Sequence, residues 1–439
     1  MKTNACLDQT ARYLAVDILT RIQRENSYSN ILLNQTLMKY RLPVQDANLL
    51  TKIVYGTLQQ QLTLEYWLNP FIKQKKVLPW VKELLLSALF QLQYLDRIPA
   101  RAVLDESIKI AKAKGHDGIR KFVTGVLHAV LRSQLPDPHE IADPFERARI
   151  VYSVPGWLVN QLVTENGWEK TNLLLSSINQ PPHQAIRVNT SKISLQQAER
   201  ALTAAGFTWR RSQLSPTSLI IQSGFAGNSQ LFKNGSIVFQ DESAACVVAS
   251  MEIKADQKVL DACAAPGGKT LQIADQLQTG HVWALDIHEH KVKLIEKNAV
   301  RCGLQARVTA QKLDARLAVT KFTTGFFDQI LLDAPCSGIG LLRRKPEIRY
   351  RKNLQDIHAL SQLQLKLLEN LVPLVKLHGK ITYSTCTIMQ TENQQVIKSF
   401  LKQHPQFSLQ NPRRIGREIF PDEYETDGFF MANLIKNAN

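Results

Sequence analysis

At 439 residues the chain exceeds a single typical domain and leaves room for two or three. Hydrophobic residues at 44% and charged residues at 21% are ordinary for a soluble globular protein, and no run approaches the apolar length of a membrane span. Lys and Arg outnumber Asp and Glu by 54 to 38, a net charge of +16, which favours a polyanionic partner through counterion release. The excess is spread along the chain. Residues 1–150 already carry 21 basic against 14 acidic side chains. Asp8, Arg12 and Asp17 interrupt the apolar residues of the N-terminus, so it lacks the core of a secretory signal and a cytoplasmic location is expected.

From Ala11 to about Arg132 the pattern has helical period. Leu50, Val54, Leu58 and Leu62 recur every fourth residue, and Val123, Val126, Leu127, Val130 and Leu131 form one stripe. The most apolar stretch, Leu84 to Phe90, reads as a buried helix segment. Pro43, Pro70, Pro79, Pro99 and the Gly115–Gly118 segment divide the region into several helices. Pro136, Pro138 and Pro144 mark a linker.

The expected division is an all-helical domain over 1–140, a linker over 141–154, a small α/β domain over 155–235 and an α/β domain over 236–439. In the small domain Arg187–Asn189 and Leu219–Gln222 read as strands around a helix at Leu195–Ala205. In the last domain strands are expected at Lys258–Ala262, His281–Asp286, Arg307–Leu313, Asp328–Asp333 and Lys380–Thr385, alternating with helices. That alternation predicts a doubly wound, Rossmann-like α/β fold.

Strand Val259–Ala262 runs into Cys263-Ala264-Ala265-Pro266-Gly267-Gly268-Lys269-Thr270 and then a helix. Ligands of doubly wound sheets bind beyond the carboxyl ends of the strands, where glycines let the backbone approach them closely. The turn matches neither GxxxxGK[ST] nor GxGxxG, so a nucleotide without a pyrophosphate fits better. Asp286 ends the second strand, where ribose hydroxyls would lie. Asp314 ends the third and could frame an adenine edge.

Together with Asp333-Ala334-Pro335-Cys336-Ser337-Gly338 and Tyr383-Ser384-Thr385-Cys386-Thr387, this turn closely resembles the Nop/Sun family of RNA cytosine-C5 methyltransferases. Phe232, Gly235, Gln240-Asp241, Arg343-Arg344-Lys345-Pro346 and Asp427-Gly428-Phe429-Phe430 extend the resemblance over nearly the whole chain. Within the family it resembles the bacterial Sun/Fmu type, which has a NusB-like helical N-terminal domain and acts on 16S ribosomal RNA. The resemblance implies S-adenosylmethionine as cofactor, with S-adenosylhomocysteine as product and no metal. Cys263, Ala264, Ala265, Pro266, Gly267, Gly268, Lys269, Asp286, Asp314 and Asp333 would bind it. It also implies Cys386 as the nucleophile.

C5 of cytosine is too weak a nucleophile to attack a sulfonium methyl unaided. A thiolate added at C6 places electron density on C5. Cys386 is expected to make that addition and Cys336, on the neighbouring strand end, to aid release of the product. Asp333 is expected to share a proton with the N3 and N4 edge of the base, with Lys269 orienting it. A lone strand cysteine is ordinarily a small buried hydrophobe, and Cys6, Cys246, Cys263 and Cys302 read so. There is no CxxC pair for zinc or dithiol chemistry.

DNA cytosine methyltransferases share the Pro-Cys dipeptide but use that cysteine as nucleophile; the Thr385-Cys386-Thr387 motif favours RNA. Arg343, Arg344, Lys345, Arg349, Arg351 and Lys352 follow the Cys336 motif and are expected to contact phosphates, with a solvated basic face as the plainer reading. Tyr350 or Phe429 is a candidate to stack on the unstacked target base, with core packing as the plainer reading. A non-catalytic RNA-binding factor and a tRNA methyltransferase of the same chemistry are the competing readings. Nothing points to a protein partner.

Overall fold

Proline and glycine punctuation, more than propensity, sets where the N-terminal helices begin and end. The computed structural model describes residues 7–25, 27–73 and 75–438, and Cys6 lies outside them. The first of two units runs to Asn179 and takes in Arg344–Arg351. Its helices are α1 (Ala11–Glu25), α2 (Ser29–Tyr40), α3 (Val44–Gln59), α4 (Gln61–Ile72), α5 (Pro79–Tyr94), α6 (Ala100–Lys114), α7 (Asp117–Arg132), α8 (Pro144–Val151) and α9 (Gly156–Ser177). Pro43 and Pro99 precede α3 and α6, and Pro79 opens α5. Leu84 to Phe90 are all buried, as are Val123, Val126, Leu127 and Val130 of the α7 stripe, whereas Leu131 is exposed.

Two expectations are corrected here. Pro70 does not break a helix: it sits in the last turn of α4, which ends two residues later at Ile72. The proline-rich linker is largely helix. Pro144 occupies the first turn of α8, and Asp143 caps it by accepting from the Glu146 amide at 2.9 Å.

Residues 344–351 supply this unit with a polar core. The backbone N–H and hydroxyl of Ser29 donate to the Glu347 carboxylate at 2.9 Å each. Arg349 is fully buried, and its Nη1 donates to Ser153 O at 3.1 Å, Tyr152 O at 3.3 Å and Asn179 Oδ1 at 3.0 Å. Arg351 donates to Ile22 O and Ser27 O at 2.9 and 2.7 Å. Buried carbonyls left without donors are costly.

The second unit holds two sheets. The small one, in order β2-β3-β1-β4, is antiparallel and is built from β1 (Gln184–Val188), α10 (Leu195–Ala204), β2 (Thr208–Arg211), β3 (Ser218–Ser223), α11 (Gln230–Lys233) and β4 (Ile237–Phe239). The chain then forms α12 (Glu242–Ala249), β5 (Lys258–Asp261), α13 (Gly268–Gln276), β6 (His281–Asp286), α14 (Glu289–Cys302), β7 (Val308–Lys312) and β8 (Phe327–Asp333). After the short α15 (Ile348–Arg351) come α16 (Leu354–Leu371), β9 (Val375–Thr385), α17 (Gln394–Gln403), β10 (Phe407–Leu409), β11 (Arg417–Ile419), α18 (Pro421–Tyr424) and β12 (Phe429–Lys436).

The large sheet has the order β10-β12-β9-β8-β5-β6-β7, with β11 on β12. Strands β5 to β9 pair in parallel, as expected, and β12 inserts antiparallel beside β9. Strand order reverses at β5, which lies between β8 and β6, and such a reversal opens a crevice beyond the strand ends. Arg349→Ala should destabilise the first unit by about 3 kcal/mol, because several buried acceptors lose their donor at once. A urea midpoint equal to that of the parent chain would show that this network carries no stability.

Candidate active site

The turn after β5 needs glycine at one point in particular: Gly267 has φ +101, and a Cβ there would press on Ile295 at 3.2 Å. Its N–H closes the turn on Ala264 O at 2.8 Å, and α13 starts at Gly268. Beneath the turn the Asp261 carboxyl is buried and accepts from Thr270 Oγ1 at 2.6 Å; burial pushes its pKa up to about 7.

A cleft of about 420 Å³ opens beyond the strand ends. Cys263, Ala265, Asp286, Asp314, Asp333, Cys336 and Cys386 all line it, whereas Ala264, Pro266, Gly267, Gly268 and Lys269 of the predicted site are not among its lining residues. Asp286 accepts from the His288 amide at 2.9 Å. Asp314 is clasped by the Arg316 guanidinium, with contacts down to 2.6 Å, which holds its carboxyl below the usual range. Ile287, Leu313, Leu363 and Leu367 add apolar walls that motif reading missed.

Lys269, in the first turn of α13, donates from Nζ to Asp333 Oδ2 at 2.7 Å and lies over the Phe429 ring at 4.8 Å. The other Asp333 oxygen accepts from Ser384 Oγ at 2.8 Å. The β8–β9 register sets Asp333 opposite Ser384, and the chain beyond each strand end brings Cys336 Sγ to 3.2 Å from Cys386 Sγ. The Cys336 thiol is pushed well up, first by the hydrogen bond shared with Cys386 and then by burial.

Behind the sulfurs the packing admits no side chain at Gly340, where a Cβ would meet Gly428 O at 2.0 Å. Gly340 donates to Cys386 O at 3.0 Å, and Gly428 donates to Gly340 O at 2.8 Å. Glu392 was not singled out from the sequence. It is buried behind the thiol pair, accepting from Ser337 N at 2.8 Å, Ser337 Oγ at 2.5 Å and Gln364 Nε2 at 3.0 Å. Its only signal in the sequence is a lone acid closely following the Thr-Cys-Thr motif.

A family described as 16S rRNA methyltransferase RsmB/F matches residues 248–435, the NusB family matches 9–132, and an RsmF/B-like ferredoxin-like domain matches 154–226. The probable ribosomal RNA small subunit methyltransferase B of Bacillus subtilis is 40% identical, over 98% of this chain and 99% of the relative. The chain belongs to the ribosomal RNA small subunit methyltransferase B family. The Synechocystis member is 31% identical over 97% of this chain and 99% of its own. A solved structure of a protein designated PH0851 superposes with a TM-score of 0.84 at 26% identity, covering 99% of this chain and 100% of that one.

In this member of the methyltransferase B family the expected RNA-facing basic run needs correction. Arg349 is buried, as described above, and Arg343 is buried too, donating to Pro421 O at 3.0 Å. Both guanidiniums are committed to carbonyls inside the protein. Arg344 and Lys345 are partly exposed. Phe429 is buried beneath Lys269, and the Tyr350 hydroxyl is tied to Leu58 O at 2.9 Å and Ser153 Oγ at 2.9 Å, so both aromatics pack rather than present a stacking face. Cys246 and Cys302 are buried, and Cys263 packs against the core from the cleft wall. Among the described residues no helix is long and apolar enough to cross a membrane.

The buried Asp261 carboxyl sets a pH dependence. An ordinary aspartate titrates near 4 and this one at about 7. Between those values the folded chain therefore holds a proton that the unfolded chain has lost, and stability falls as pH rises through the window. Asp261→Asn should flatten the fall in urea stability between pH 4 and 7. An identical slope in the variant would assign the dependence to other groups.

Proposed function

We propose that this chain transfers a methyl group from S-adenosylmethionine to C5 of a cytosine in 16S ribosomal RNA, through a covalent adduct between Cys386 and C6. The observation that carries the reading is the convergence, in one cleft, of the Cys336–Cys386 pair with the acidic strand ends Asp286 and Asp314. Family membership supports ribosomal RNA as substrate, and the excess of basic residues suits a polyanion. In this reading the partly exposed Arg344, Lys345 and Lys352 of the basic run contact phosphates. The chain would act in the cytoplasm, without a metal.

The cleft suits the cofactor. Its volume is that of a small-molecule site, its carboxylates suit ribose hydroxyls, and Ile287 and Leu313 offer apolar surface to a purine. Bound S-adenosylmethionine supplies an electrophilic methyl group. Cys386 would add to C6 and move the C5=C6 π pair onto C5, which would take the methyl carbon as its bond to the sulfonium sulfur breaks and leaves S-adenosylhomocysteine. Loss of the C5 proton to a base restores the double bond and expels the Cys386 sulfur, a step assisted by Cys336. Asp333, held by Lys269 and Ser384, faces the N3 and N4 edge of the base. Methylation of total RNA with labelled cofactor, followed by mapping of the labelled position, tests the reading; label confined to tRNA would overturn its choice of substrate.

Asp286→Ala should weaken S-adenosylmethionine binding by roughly 1 to 3 kcal/mol through lost charge-assisted hydrogen bonds. Unchanged calorimetric affinity would remove Asp286 from the site. Cys386→Ala should lose activity and form no covalent complex, whereas Cys336→Ala should attack, methylate and stay trapped on its RNA through denaturing electrophoresis. The opposite pattern would exchange the two roles, and full turnover by both variants would exclude covalent cysteine catalysis.

A further inference from the structure

Two like thiols 3.2 Å apart pose a question of proton placement: a hydrogen bond between them needs one S–H, and only the other sulfur is then free to act as the nucleophile. The surroundings of the pair are unequal. Glu392 is fully buried, and every partner of its carboxylate is a neutral group: the Ser337 amide and hydroxyl, the Gln364 amide and the Thr387 side chain. A buried carboxylate without a cation is costly and calls for a reason. Two of its bonds go to Ser337, the residue next to Cys336, so the carboxylate is anchored to the Cys336 loop.

The other ionisable groups around the pair are accounted for. From α13 and β8, Lys269 and Asp333 neutralise each other at 2.7 Å. From β9 the Tyr383 hydroxyl donates to Glu392 O at 2.6 Å, and burial holds it neutral. From α16 the facing group is the neutral Gln364.

We propose that Glu392 is a positioning residue: its buried carboxylate fastens the Cys336 loop and keeps the shared proton on Cys336, leaving the Cys386 sulfur as the acceptor and nucleophile. Burial pushes the Glu392 carboxyl up; once ionised, its negative charge beside Cys336 opposes a second one on that sulfur and adds to the upward push that the hydrogen bond with Cys386 and burial already give the thiol. No covalent bond changes in this step. The proton stays on Cys336 Sγ until the substrate enters.

The inference rests on the proposed roles of the two cysteines, so its test avoids RNA. Iodoacetamide alkylation of the full-length protein, followed against pH by peptide mass spectrometry, reads each thiol separately. In the parent chain Cys386 should be alkylated ahead of Cys336. Glu392→Gln should speed Cys336 alkylation at pH 8 about tenfold, as expected when a nearby charge is removed, while Ser337→Ala, which keeps the carboxylate, should not. Equal acceleration of Cys336 by both variants would reduce Glu392 to a structural tie and overturn the proposal, as would an unchanged Cys336 rate in folded Glu392→Gln. If that variant fails to fold, the parent chain decides: Cys336 alkylated first refutes the proposal, and Cys386 first supports it. A reversed trapping pattern on RNA would refute the cysteine roles and leave the alkylation order standing.

Discussion

The parallel pairing of β8 with β9 is the constraint on which the rest of the site depends. Its register fixes Asp333 opposite Ser384, and each chain then leaves the sheet at the same edge, one into Ala334-Pro335-Cys336 and the other directly into Cys386. A slip of one residue would send one of the side chains to the opposite face of the sheet and separate the sulfurs. The register is buttressed from both sides. β5 holds β8, and antiparallel β12 holds β9 over six paired residues from Lys380 to Thr385.

That buttress explains the Gly428-Phe429-Phe430 motif. Gly428 lies against Gly340 with no room for a side chain at either. The amide of Gly340 in turn holds the carbonyl of Cys386. Phe429 meanwhile lies under Lys269, whose ammonium is thereby kept beside Asp333. A motif at the start of the last strand thus shapes the turn that carries Cys386 through backbone contact, with no group of its own lining the cleft.

What could be read beforehand was whatever short-range chemistry dictates. Gly267 betrayed its turn because only glycine tolerates the conformation, and the acidic strand ends stood out because carboxylates interrupt apolar strands at the place where ligands bind. Pro144 misled because proline both breaks helices and opens them, and only the capping bond from Glu146 to Asp143 decides between the two. Arg343 and Arg349 misled for a different reason. A run of basic residues looks like a solvated or phosphate-binding face, and nothing local reveals that Arg349 would meet Tyr152 and Ser153 carbonyls nearly two hundred positions earlier in the chain. Glu392 escaped notice likewise, since its partners Ser337 and Gln364 come from other elements.

The segment 344–351 shows how charge is divided between folding and recognition. Three of its charged side chains, Glu347, Arg349 and Arg351, are spent on serine and carbonyl partners within the first unit. An arginine suits this use because it stays charged when buried, whereas a lysine shifts readily to a neutral form; in Arg349 a single nitrogen, Nη1, makes the carbonyl contacts. The chain's net charge of +16 therefore overstates what is available to a polyanion: in this stretch Arg344 and Lys345 keep partial exposure, and the rest of the attraction falls to basic residues dispersed elsewhere. Dispersed charge acts over a Debye length and draws a polyanion without fixing its register. In the proposed reaction, selection of one cytosine would fall to the shape of the cleft and to the groups around it, where Asp333, Lys269 and the two sulfurs stand in fixed relation.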